Sequence, residues 1–304
     1  MITLKTERGF VQVESWEEVT GLPGFVANLN RSQHKLKDIV GRYHFPHTIK
    51  CGLSDCHTPH KKGYVVSTES GELTNIGWIC GRDYFGEDFE TRSRQFERDV
   101  EDQANREILA GFSFRVDLLQ AELDAMRQAD YGANWVYKHT RPLLEAHRGC
   151  PEPIVRKIAA MIRAGQNQLT EDRQATQRET EIAEAAAGRA ISQPHIISEV
   201  VAQIKGMAAL NAQNDLRQLL VIEMHEELKT FRDLDIDSLT HSDLARWAKW
   251  IGGNDARLER ASAAIAAGRE LLTADNLAPF RRLLFRNEET IEYTRFLRSL
   301  SEKQ

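Results

Sequence analysis

Three cysteines crowd into the stretch Cys51 to Cys80, CGLSDCHTPHKKGYVVSTESGELTNIGWIC, and this cluster constrains the fold more than any other feature of the chain. Zinc favours tetrahedral sets of thiolate and imidazole. Cys51-x4-Cys56 predicts two sulfurs on one knuckle, with Gly52 easing the turn. His60 follows four residues on, its approach stiffened by Pro59. Gly63 then opens a strand-like run, YVVST. Ser70-Gly71 reads as a hairpin turn, and LTNIGWI brings the chain back to Cys80. The expected site is a structural Zn²⁺ held by Cys51, Cys56, His60 and Cys80. His57, Asp83 and His47 stand as alternatives for the fourth position. The alternative to a metal is three free cysteines packed in a small β core. Three sulfurs and one nitrogen close the coordination shell and leave no position for water, so the ion is expected to be structural rather than catalytic.

Knuckle, hairpin and a ligand at a helix start together resemble the treble-clef class of zinc modules, over about residues 45–95. The resemblance implies Cys51, Cys56 and Cys80 as ligands. The chain departs from the usual pattern twice. Its knuckle is C-x4-C rather than C-x2-C, and Asp83 stands where a fourth cysteine is often found.

Composition sets the frame. The chain has 304 residues, 41% hydrophobic and 28% charged, a soluble globular balance with room for two domains. No run approaches the roughly 18 apolar residues that span a bilayer, so no membrane partner is expected. MITLKTERGF shows no apolar signal segment, so a reducing cytoplasm is the expected compartment, and there clustered cysteines are expected to bind metal rather than pair. No phosphate loop, dinucleotide fingerprint, nucleophile elbow or H-E-x-x-H helix is present.

Elsewhere the pattern predicts an α+β chain: a zinc-stabilised β-hairpin module at the N-terminus and a mostly helical remainder. Short strands ITLKT and FVQVES turn at Arg8-Gly9, and Ser15 with Glu18 forms a capping box for WEEV. Residues 25–45 read as loop, then short helix. Phe89, Phe96, Val100, Ala104 and Ile108 line one helical face, with a bend or break at Gly111. Asn134, Ser192, Asn214, Thr240, Asn254, Thr273 and Asn287 read as helix caps. Pro142 predicts a kink or early stop, and Pro153 a helix first turn. Thr170 to Arg189 reads as a polar helix between two bundles. Trp247 and Trp250 read as packing residues and Cys150 as a bland loop thiol. The expected domains are 1–95, 96–190 and 191–304.

The net charge of −5 excludes a global attraction to nucleic acid, so any such contact must be local. Residues 31–62 are the local exception. Arg31, Lys35, Lys37, Arg42, Lys50, Lys61 and Lys62 face only Asp38 and Asp55, with Tyr43, Phe45 and Tyr64 interleaved. Bases and aromatics together suit phosphate contact and base stacking; a solvated surface is the plainer alternative. The expected function is that of a non-enzymatic, zinc-stabilised binding or adaptor protein. It would meet nucleic acid or an acidic partner through this surface, and proteins or its own copies through its helices. A metal-dependent nuclease using His44, His47 or His57 is the second expectation, and a purely structural oligomer the third.

Overall fold

Local chemistry sets the first elements. β1 (Ile2–Thr6) and β2 (Gly9–Val13) pair as an antiparallel hairpin about Glu7-Arg8, one residue earlier than the expected Arg8-Gly9. Ser15 caps α1 (Trp16–Thr20): its side chain accepts from the Glu18 amide while the Glu18 carboxylate accepts from the Ser15 amide, the predicted capping box. β3 (Leu36–Lys50), β4 (Pro59–Thr68) and β5 (Leu73–Gly77) complete a five-stranded antiparallel sheet of order β2-β1-β3-β4-β5. The computed structural model describes residues 1–301, apart from the side chain of Arg31.

β3 overturns the expected loop and short helix. It is the central strand, hydrogen-bonded to β1 on one side and β4 on the other. Ile39, Tyr43 and Phe45 are buried along it, but register shifts at Leu36/Asp38, Ile39/Gly41 and His44/Ile49 break the strict alternation of a half-buried strand. Those irregularities account for the mixed spacing seen in the sequence.

The sheet is covered on both faces. One buries Ile2, Leu4, Tyr43, Phe45 and Val65 against Val19 of α1. The other buries Ile39, Cys51, Leu53, Val66, Ile76 and Cys80 against Phe89 and Phe96. These two aromatics belong to α2 (Trp78–Ser113), which is kinked at Gly86 (φ 59°, ψ −139°) rather than at Gly111. A fully buried phenylalanine contributes about 2 kcal/mol of transfer free energy, so Phe89, 0% exposed, is a principal tie between helix and sheet. Of the predicted face, Phe89 and Phe96 are buried but Ile108 is exposed. Leu109 and Phe112 are buried in its place, Phe112 meeting Trp250 edge-on at 5.6 Å.

The chain forms two compact units, Met1–Phe112 with Asp235–Ile251, and Ser113–Leu234 with Gly252–Gln304. The expected boundary at 95/96 falls inside α2. In the first unit Thr240 caps the helix His241–Gly252 through the Asp243 amide, and Trp247 and Trp250 are buried. The second unit is built mainly of helices, among them Val116–Gln128, Ala133–Leu144, Glu152–Ala164, Asn254–Leu271 and Asn287–Ser299. Pro153 sits in a first turn as expected, whereas Pro142 lies inside its helix, two residues before the end. The helix that Asn214 was expected to cap takes its cap from Asp215, whose carboxylate accepts from the Arg217 and Gln218 amides.

The polar helix expected over 170–189 is only partly present. Gln168–Gln174 and Ile196–Gln203 pair as an antiparallel two-stranded sheet, with the helix Gln177–Ala187 between them. Strand also replaces most of the helix expected to start at Ser192. Gln, Glu and Arg favour helix in isolation, but cross-strand pairing overrides so weak a preference. Arg173 fastens the excursion, donating to Glu199 at 2.5 Å and to Glu179 at 2.8 Å. No helix among the described residues is long and apolar enough to cross a membrane.

The β4–β5 turn carries a pH-sensitive clasp. The Ser70 and Thr68 hydroxyls donate to Glu72 at 2.6 and 2.5 Å, holding its carboxyl down at about 2 against an ordinary 4.5. A folded-state value below the unfolded one stabilises the turn above the ordinary carboxylate range, and the contribution disappears as pH falls through about 2. Side-chain carboxyl NMR is expected to show Glu72 titrating near 2 in the folded chain; a midpoint near 4.5 would contradict the clasp.

Candidate metal centre

Two segments deliver the three sulfurs, the loop between β3 and β4 and the start of α2. Cys51 follows the last residue of β3, Cys56 lies on the loop before β4, and Cys80 sits in the first turn of α2. The helix therefore starts before the cysteine rather than after it. The knuckle is stitched down by backbone bonds: Gly52 N–H donates to the Asn75 carbonyl at 2.8 Å, Leu29 N–H to the Gly52 carbonyl at 2.8 Å, and Cys56 N–H to the Leu53 carbonyl at 3.2 Å. Gly52 is required by crowding as well as by any turn, because a Cβ there would lie 2.2 Å from Thr74 Oγ1 and 2.8 Å from Asn75 Oδ1.

The three Sγ atoms all lie within 4.8 Å of one another, and Cys56 and Cys80 are 3.3 Å apart. Corners of a zinc tetrahedron with Zn–S near 2.3 Å are about 3.8 Å apart, so the spread brackets that geometry. It is far outside the roughly 2.05 Å of a disulfide, and all three cysteines are free. Cys51 and Cys80 are buried and Cys56 is half-buried.

The electrostatics separate the three thiols. Burial pushes Cys51 up, opposed by the Leu53 and Gly77 amides that point at its sulfur. Cys56 is also raised by burial, but the Thr58 hydroxyl and amide and the neighbouring thiols bring it below the ordinary thiol value. Burial and the two other sulfurs drive Cys80 up to about 12. One thiol is thus disposed to ionise and two resist it without a cation. A divalent ion would relieve all three, exchanging thiol protons for metal–sulfur bonds.

The structure does not bring His60 into this group. Its Nδ1 lies 3.0 Å from the Thr58 carbonyl and its Nε2 2.5 Å from the Tyr43 hydroxyl, so both ring nitrogens are engaged. The ring packs beside Tyr43 and over Gly77. His57 turns its Nδ1 to the Cys51 carbonyl at 3.2 Å, on a backbone with φ 49°. Asp83 is held by Arg82 at 3.1 Å, and His47 stacks on Phe45 in an exposed position. Among the described residues the three cysteines are the sole group of three or more His, Cys, Asp or Glu side chains close enough to hold a metal. His44, His47 and His57 belong to no such group among the described residues. Cys150, in the second unit, is buried and pushed up to about 12 by burial and by Glu292, an inert thiol.

Sequence reasoning missed the residues that brace the centre. Asn75, 4% exposed, donates to the Lys50 carbonyl at 2.8 Å and to the Tyr43 hydroxyl at 3.4 Å, locking β5 to the end of β3. No spacing signal marks it; a polar residue in the middle of an apolar strand is the only hint.

The basic segment is split by β3. Lys37 and Lys50 lie on one strand, opposite the Ser67–Thr68 and Pro59 ends of β4, roughly 30 Å apart at about 3.3 Å per residue. Lys35 and Lys37 are exposed at one end. Lys50, Lys61 and Lys62 are exposed at the other, where Lys62 pairs across the strands with His44. Arg42 is engaged by Glu97, and the side chain of Arg31 lies outside the described residues. Comparison with protein-family models, with curated proteins and with solved structures finds no match to this chain.

Proposed function

We propose that Cys51, Cys56 and Cys80 hold a structural zinc ion. In this reading the first unit is a non-enzymatic binding module that meets nucleic acid through the Lys50, Lys61 and Lys62 end of the sheet. The observation that carries the metal is the convergence of three sulfurs from two separate segments, the loop between β3 and β4 and the first turn of α2, with backbone amides directed at two of them. The arrangement supports the treble-clef resemblance: knuckle, hairpin, then a cysteine in a helix first turn. Of the imidazoles, His57, next to Cys56 in the chain, is the proposed fourth ligand; its ring would have to close on the three sulfurs, which by themselves form the group within 4.8 Å. Its Nδ1 is bonded to the Cys51 carbonyl, which fixes the tautomer and leaves Nε2 as the donor, whereas both nitrogens of His60 are engaged. The ion's contribution is folding free energy, and free thiols of this kind suit a reducing compartment. The helices of the second unit serve protein contacts or self-association.

Lys50, Lys61 and Lys62 carry the proposed phosphate contacts. Reversing Lys61 and Lys62 to glutamate is expected to weaken binding of a generic nucleic acid at least tenfold. It should also reduce the slope of log K against log salt by about two, since each phosphate contact releases about one counterion. Fluorescence anisotropy across a salt series measures both. Unchanged affinity and slope in the double variant would remove the basic surface from the account.

A further inference from the structure

On the α2 side of the sheet a cavity of about 520 Å³ opens between strands and helix. Its walls include Arg42, His44, Lys62, Tyr64, Trp78 and Glu97. Register places them: Arg42 pairs across with Tyr64 and His44 with Lys62, and in an antiparallel pair directly opposed residues share a face. Trp78 and Glu97 come from α2. The volume falls within the roughly 300–1,000 Å³ of small-ligand sites.

The wall chemistry is specific. Trp78 begins α2 with 39% of its surface exposed, a large ring left uncovered beside a concavity. Tyr64 lies next to it, ring centroids 6.2 Å apart. The Tyr64 hydroxyl donates to Glu97 at 3.1 Å, and Glu97 also pairs with Arg42. That network fixes the floor and cancels its own charge. Lys62 and His44 remain at the rim, both exposed. A planar ring would find an aromatic face, and an anion attached to it a cationic edge. Aromatic platforms beside phosphate-holding cations are the means by which proteins hold unpaired bases. A duplex keeps its bases stacked inside and cannot use the ring.

We infer that this cavity seats one nucleotide, its base stacked on Trp78 beside Tyr64 and its phosphate held by Lys62 and His44. The inference rests on the nucleic-acid reading above and makes it specific for single strands. The nucleotide can belong to a strand or be free in solution. Cys80 lies two residues beyond Trp78, in the same helical turn, so the proposed metal also sets the position of the stacking ring.

The test uses the full chain with a short mixed-sequence single strand, the matching duplex and a nucleoside monophosphate. Binding is read by anisotropy and by quenching of tryptophan fluorescence. Trp78→Ala is expected to weaken single-strand binding on the order of tenfold while leaving the salt slope unchanged, because stacking is worth about 1–3 kcal/mol per base. Trp78→Phe should restore most of it, which separates stacking from a folding defect; matched thermal midpoints give a second control. Duplex affinity should be unaffected by either change. If Trp78→Ala binds single strand as tightly as the parent while reversal of Lys61 and Lys62 weakens it, the cavity is overturned and the basic surface stands. Should the monophosphate bind and quench while neither polymer binds, the nucleotide site stands and the nucleic-acid reading falls. Absence of binding by all three overturns both.

Discussion

Cys51→Ser is expected to remove the metal and to loosen the first unit. Cys51 is 1% exposed, shares its surroundings with Leu53, Val66 and Ile76, and accepts amide hydrogens from Leu53 and Gly77. Serine keeps the size but exchanges a soft thiolate for a hydroxyl that zinc binds far less readily. Loss of an ion present at a thousandfold its Kd removes about 4 kcal/mol of stability. Zinc should fall from near one per chain towards zero, with a large drop in the unfolding midpoint of the first unit and little change in the second. Among the histidines, His57→Ala should weaken zinc retention against a chelator roughly 10- to 100-fold, while His60→Ala should leave it unchanged. Full zinc occupancy in Cys51→Ser would contradict the assignment.

Gly63→Ala, one methyl on a strand, is the second large effect. Gly63 sits on β4 opposite Tyr43 and Gly77. A Cβ there would lie 2.3 Å from the Tyr43 hydroxyl and 2.4 Å from the Ile76 carbonyl oxygen. The hydroxyl can swing, but the carbonyl belongs to the β5 ladder and cannot move without breaking it. Tyr43 is itself confined, 3% exposed and bonded to His60, with Asn75 donating to it. Overpacking of this kind costs about 3 kcal/mol, a midpoint shift on the order of 10 °C for a unit of this size. Differential scanning calorimetry measures it. A shift below about 2 °C would show that the β4–β5 ladder has slack that the geometry denies.

The hairpin, the Ser15 capping box and the three-cysteine cluster were legible because each depends on residues near one another in sequence. A turn at Ser70-Gly71 and strand formers on either side suffice to return Cys80 to Cys51. β3 was not legible. Its bulges at Leu36/Asp38 and Ile39/Gly41 scramble the two-residue period, and its state is decided by β1 and β4 on its flanks. His60 looked like a ligand from its distance along the chain; it is diverted by Tyr43, whose hydroxyl was not foreseeable as its partner. The strand pair Gln168–Gln174 and Ile196–Gln203 was hidden by helix-favouring composition, and only the later strand, IISEVVAQ, carries β-branched residues that hint at it. The cavity is likewise tertiary. Its exposed Trp78 and its cross-strand Lys62 and His44 lie 34 residues apart at the extremes, so no local motif announces it.

X-ray absorption at the zinc K-edge of the purified full chain tests the central claim most directly. The account predicts about one zinc per chain, with three sulfur neighbours near 2.3 Å and one lighter neighbour near 2.0 Å. A chain free of zinc that keeps the same fold and midpoint, or a bound ion surrounded by oxygen and nitrogen without sulfur, would contradict it.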